Sequence, residues 1–131
     1  MKRLVLAVAL TASGCSLNIF GPQIEHWSKR PLVPVPAVYE QWYADVRACW
    51  SQRGVTNLHS FQDARWFIAD KITMGGGKRA RASTTGDDIV ITRSYVHIEL
   101  TVKHEISHHV TGFGDEIHFD SGIRAICDGG Q

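Results

Sequence analysis

The chain has almost no net charge, few cysteines and no proline beyond residue 36, and each shortage narrows what it can be. Fourteen Lys and Arg face 13 Asp and Glu, for a formal net charge of +1. That balance gives no pull toward a nucleic-acid backbone, so neither DNA nor RNA is expected as a partner. The basic cluster Lys78, Arg79 and Arg81 is too short to change this and reads as a solvated loop. Charged residues make up 21% and hydrophobic ones 44%, ordinary values that exclude wholesale disorder. The 131 residues suit one domain and leave no room for a second.

A long apolar run is also missing. Residues 4–11 are nearly all apolar, but a permanent membrane span takes about 20. Met1-Lys2-Arg3 precedes that run, and the small residues Ala12, Ser13 and Gly14 follow it, immediately before Cys15. A basic start, a short apolar stretch and a small-residue exit describe a secretory signal over 1–14. Ala12-Ser13-Gly14-Cys15 also resembles the lipobox of bacterial lipoproteins, with Ala12 where Leu is usual. The resemblance implies that Cys15 is the lipidated, palmitate-bearing N-terminus and that membrane attachment is through lipid. Ser16, rather than Asp, follows the Cys, which by the same resemblance implies the outer membrane if the source is Gram-negative. Three Cys in an exported chain leave one odd thiol; lipid on Cys15 leaves Cys49 and Cys127 free to form a disulfide.

All four prolines, Pro22, Pro31, Pro34 and Pro36, fall in the next stretch, so residues 15–36 read as an extended tether. An arm packed along the domain is the alternative. Residues 37–131 then form the domain. From 37 to 52 the period is helical: Val38, Tyr39, Trp42, Tyr43, Val46, Cys49 and Trp50 fall in one sector about 140° wide. Three strand candidates follow, Arg65–Ala69, 78–84 and Asp88–Thr92, separated by Gly75-Gly76-Gly77 and Thr85-Gly86-Asp87. A small antiparallel meander is the economical arrangement. The Gly-Gly-Gly-Lys run is not a phosphate loop, because Ile72 and Arg79 stand where that motif needs Gly and Ser or Thr.

The chemistry lies in His104-Glu105-Ile106-Ser107-His108, an H-E-x-x-H motif. Two His four apart stand one helical turn above each other and can reach one metal ion. The intervening Glu is placed to hold and deprotonate a metal-bound water. Residues 96–111 support the helix, with Gly112 as its C-terminal cap. Ile98, Val102, Ile106 and Val110 form its apolar stripe, with His104 and His108 roughly 160° from the stripe's centre. A catalytic zinc site wants three protein ligands and an open position. His118 is the choice for the third, since Gly112 and Gly114 permit a reversal; Asp115, Glu116 and Asp120 are alternatives, one of them better suited to orient a ligand histidine. His109 points about 100° away from His108 and should not share the ion. His97 stands about 10 Å along the helix from His104, where a substrate contact is conceivable. His26 and His59 show no partner pattern.

With its HExxH motif, the sequence resembles the zincin metallopeptidases, and among them the small lipoprotein members in which an aromatic helix carrying a Cys, a few strands, the motif helix and a terminal Cys follow a signal. The resemblance spans residues 36–128. It implies an α+β, zincin-like domain with one Zn2+ per chain, His104 and His108 as ligands, Glu105 as general base, and a Cys49–Cys127 disulfide. The metzincin branch expects Gly three and His six residues after the second motif His; Thr111 and Gly114 stand there, which excludes it. The function expected is hydrolysis of a peptide or protein substrate by a monomeric, lipid-anchored zinc metallopeptidase of the cell envelope. Tyr95 and His97 are the candidates to stabilise the oxyanion. The rival is a non-catalytic, zinc-stabilised envelope module that binds a partner.

Overall fold

The computed structural model describes residues 23–114 and 127–128. In chain order the elements are β1 (Glu25–Trp27), β2 (Arg30–Pro31), α1 (Val38–Gln52), β3 (Arg65–Ala69), β4 (Lys71–Thr73), β5 (Arg79–Ala80), β6 (Ala82–Thr85), β7 (Asp88–Thr92) and α2 (Glu99–Thr111). Together they make a small α+β domain. No helix among the described residues is long and apolar enough to cross a membrane. The expected signal and Cys15 lie outside the described residues.

Residues 23–36 depart from the tether reading. β1 pairs antiparallel with β4, and β2 pairs antiparallel with β3, so this stretch is an arm packed along the domain. Proline explains both the expectation and the outcome. Pro31 excludes a helix and cannot donate a ladder hydrogen bond, but β2 is the outermost strand of its sheet, where neither matters.

The meander is corrected as well. The main sheet runs β2-β3-β7-β6, with β3 and β7 parallel in the register Arg65↔Asp88 to Ala69↔Thr92. A separate sheet, β1-β4-β5, takes up part of the connection between them. Burial decides the order. Ile89, Val90 and Ile91 are at most 1% exposed, so β7 needs cover on both faces and both edges, which only a central position supplies. The β6–β7 hairpin is as expected: Thr85 pairs with Asp88, and Gly86, at φ +57°, opens the two-residue turn.

Both helices bury most of their apolar stripes, with Val38 and Ile98, 43% and 45% exposed, as the exceptions. Tyr39, Tyr43, Val46 and Trp50 of α1 are buried, as are Val102, Ile106 and Val110 of α2. These side chains meet Trp66, Ile89 and Ile91 of the main sheet in one core. Each large apolar side chain buried there contributes roughly 1.5–3 kcal/mol. The Tyr39 hydroxyl donates to the Val96 carbonyl, tying α1 to the approach to α2. α2 starts at Glu99, later than 96, because Arg93–Tyr95 form a separate 3-10 turn. Gly112 ends it in the left-handed conformation at φ +70°, its N–H bonded to the His108 carbonyl at 2.9 Å. α2 therefore rests its apolar side on the core and turns its opposite side toward β6.

Candidate metal centre

That opposite side borders a cavity of about 710 Å³, lined by β6, the β6–β7 turn and the face of α2 that carries His104, Glu105 and His108. The Nε2 atoms of His104 and His108 are 3.2 Å apart. Their other ring nitrogens are already committed. His104 Nδ1 donates to Asp128 Oδ2 at 2.9 Å, and His108 Nδ1 donates to the Phe113 carbonyl at 2.9 Å. A carbonyl oxygen only accepts, so His108 carries its proton on Nδ1; a carboxylate imposes the same tautomer on His104. In the neutral rings both Nε2 atoms are then acceptors brought close together, an arrangement that a cation between them would suit. Two imidazoles on one tetrahedral zinc, at about 2.0–2.1 Å each, would have nitrogens about 3.3 Å apart. The observed spacing, with the tautomers those partners favour, is compatible with two ligands of such an ion.

Each orienting partner has a local cause. Gly112 reverses the chain, which returns the Phe113 carbonyl to His108. Only a residue at ease with positive φ can make that reversal without strain. Asp128 is held on one side by the Cys49–Cys127 disulfide next to it and on the other by Ser107, whose hydroxyl donates to Asp128 Oδ1 at 2.5 Å. Trp50 Nε1 in turn donates to Ser107 Oγ at 3.1 Å. The chain Trp50–Ser107–Asp128–His104 thus runs from α1 through α2 to an imidazole that borders the cavity. Asp128 is 2% exposed, and its two hydrogen bonds offset the cost of burying a carboxylate.

Glu105 lies beside the pair. It is 6% exposed, and its Oε2 accepts from the Thr84 hydroxyl at 2.7 Å; the same hydroxyl is 3.2 Å from the Glu105 carbonyl. Burial pushes the Glu105 carboxyl above its ordinary range, while the Thr84 hydrogen bond and the two imidazoles act in the opposite direction.

A second group occupies the far wall. His59, Asp87 and His109 each present one ligand atom within 4.8 Å of the others and could hold a metal ion. Its protons, however, already have partners. Burial pushes the Tyr43 phenol far above its ordinary value, so its hydroxyl stays protonated; it lies 2.6 Å from His109 Nδ1. Burial also lowers the pKa of His109, against the pull of Asp87, which favours the neutral ring. The neutral ring can accept from Tyr43 at Nδ1 and donate from Nε2 to Asp87 Oδ1, 3.3 Å away. An ion there would have to displace the second of these bonds.

The expected residues are distributed as follows. His104, Glu105 and His108 come together at the cavity, and Cys49 is bonded to Cys127. His118, Asp115, Glu116 and Asp120 lie outside the described residues. His97 is exposed, and neither it nor Tyr95 lines the cavity. His109 lines the same cavity, with Tyr43 and Asp87 as its partners. His59 and His26 do have partners: His59 faces Asp87, and His26 Nε2 lies 2.8 Å from Ser83 Oγ.

Asp128 and Thr84 have no counterpart in the motif. A signal for Asp128 was present in its neighbour, because a bridge from Cys127 to α1 brings the next residue against α2. Thr84 is one hydroxyl in a run of small polar residues and carries no signal without the sheet order. Compared with family models, curated proteins and solved structures, the chain matched none.

Proposed function

We propose that this chain is a zinc-dependent metallopeptidase of the cell envelope, held to a membrane by lipid on Cys15. The observation that carries the reading is the His104–His108 pair: two Nε2 atoms 3.2 Å apart, each with its Nδ1 proton held elsewhere, beside a buried carboxylate at a cavity. A metal-ligating histidine almost always donates its other ring N–H to a carboxylate, carbonyl or water, the pattern both rings have here. His118 is the proposed third ligand, with one ion per chain.

Zinc, when bound, polarises the scissile carbonyl and brings the pKa of its water toward about 7. The chain's own residues do the rest. Asp128 and the Phe113 carbonyl fix the two rings so that their Nε2 lone pairs face the ion. Glu105 accepts a proton from the attacking water and hands it to the leaving amine, with Thr84 setting the direction of its carboxylate. β6 is the edge of its sheet and Ala82, Ser83 and Thr84 line the cavity, so an extended peptide can lie along this strand and bring its backbone past Glu105.

The test uses the mature chain. Elemental analysis should find about one zinc per chain, lost on His104→Ala or His108→Ala and kept on His59→Ala. Glu105→Gln should keep the zinc and reduce hydrolysis of a peptide library at least about 100-fold. Absence of zinc from the wild-type chain overturns the reading. Zinc without hydrolysis transfers it to the non-catalytic, partner-binding module. Incorporation of labelled palmitate, lost on Cys15→Ser, tests the anchor.

A further inference from the structure

Two adjacent residues of α1, Cys49 and Trp50, face two adjacent residues of the distal chain, Cys127 and Asp128. Cys49 is joined to Cys127 by the disulfide, and Trp50 reaches Asp128 through the Ser107 hydroxyl. Of the two Asp128 oxygens, Oδ1 takes the Ser107 proton and Oδ2 takes the proton of His104 Nδ1. The carboxylate that fixes the tautomer of one proposed ligand therefore belongs to the residue next to a half-cystine.

We propose that the Cys49–Cys127 bridge belongs to the metal centre, holding the positioning residue Asp128 against His104, so that the oxidation state of the bridge sets the affinity of the His104–His108 pair for zinc. The inference rests on the functional reading above. In the oxidised chain Asp128 meets His104 as an intramolecular, preorganised partner. A dithiol or phosphine reductant supplies two electrons, the S–S bond breaks, and Cys49 and Cys127 each become a thiol. Asp128 then keeps its hydrogen bonds to Ser107 and His104 but loses the covalent closure beside it, and each moment it spends away from His104 lets that ring turn or change tautomer. A ligand histidine that loses its orienting carboxylate typically costs 10- to 100-fold in metal affinity. An exported chain meets oxidising surroundings in which the bridge persists. Zinc would then be held tightly after export and weakly before it.

The test is a zinc titration against a chromophoric chelator, on the wild-type chain and on Asp128→Asn, each with the bridge intact and after reduction with a phosphine. Near-ultraviolet circular dichroism follows the fold in each sample. Asp128→Asn with its bridge intact should bind zinc about 10- to 100-fold more weakly. Reduction of the wild-type chain should produce a loss of similar size. Reduction of Asp128→Asn should add no more than about a twofold further loss, because both changes act through one contact. Cobalt(II) in place of zinc should show shifted visible absorption bands in Asp128→Asn, a readout that a merely structural role would leave alone.

Unchanged zinc affinity in Asp128→Asn overturns the proposal while leaving the metallopeptidase reading in place. So do losses that multiply in full, and so does a loss of the near-ultraviolet signal on reduction, since the bridge would then be acting on the whole fold. A wild-type chain that binds no zinc overturns both.

Discussion

At the scale of single residues, protons decide what the centre can do. The backbone of α2 alone would bring His104 and His108 to the same side, but not aim them. Aim comes from the Asp128 carboxylate and the Phe113 carbonyl, which fix the Nδ1 protons and leave both Nε2 lone pairs toward one point. Thr84 does the corresponding work for Glu105. Thr84→Val preserves shape and removes that hydroxyl. Under the proposed function it is expected to leave the zinc content unchanged and to lower kcat about tenfold to a hundredfold, with KM little altered, as steady-state kinetics on a cleaved peptide would show. The motif residues were legible in the sequence because their four-residue spacing has one geometric meaning on a helix. Thr84 was not, since a residue that acts from 21 positions away leaves no periodic trace, and Asp128, 24 positions away, was signalled only by the half-cystine beside it.

Among the elements, the helices were the most readable and the sheet the least. A stripe such as Tyr39, Tyr43, Val46 and Trp50 states both the helix and its buried side, and Gly112 marks the end of the other helix. Strand positions could be read, but their order could not. Arg65–Ala69 and Asp88–Thr92 have the expected bounds, yet they lie side by side and parallel, with β6 moved to the edge. Ile89-Val90-Ile91 carried the clue, because an unbroken apolar run lacks the alternation of a strand with one wet face. Asp88 secures the start of β7, accepting from Lys29 at 3.0 Å and from Arg65 at 2.7 Å. Partial burial pushes its carboxyl up, but these hydrogen bonds and positive charges prevail and hold it below its ordinary value of 3.8. A lowered folded value means that the contribution is present above the unfolded pKa and fades as the pH falls through the folded one. Asp88→Asn should therefore cost up to about 1 kcal/mol at pH 7. The gap to wild type should narrow below about pH 4, as urea unfolding at pH 7 and pH 3 would measure.

For the molecule as a whole, the disulfide and the packed N-terminal arm give a small core its closure. The bridge joins positions 78 apart, and in the chain-entropy view it removes roughly 4 kcal/mol of freedom from the unfolded state. Cys49→Ser with Cys127→Ser should lower the unfolding free energy by an amount of that order, read from urea denaturation of the oxidised wild type against the variant. Against net stabilities of about 5–15 kcal/mol for whole domains, this is a large share. Local spacing determined, from the sequence alone, the two amphipathic helices, the turns and the histidine pair, because each depends only on neighbours within about one helical turn or one hairpin. Tertiary structure decided the parallel partner of β7, the packing of the proline-bearing arm, and the hydrogen bonds that aim His104, Glu105 and His108. Those depend on which surfaces must be covered and which buried polar groups must be satisfied, conditions that exist only once distant segments have met.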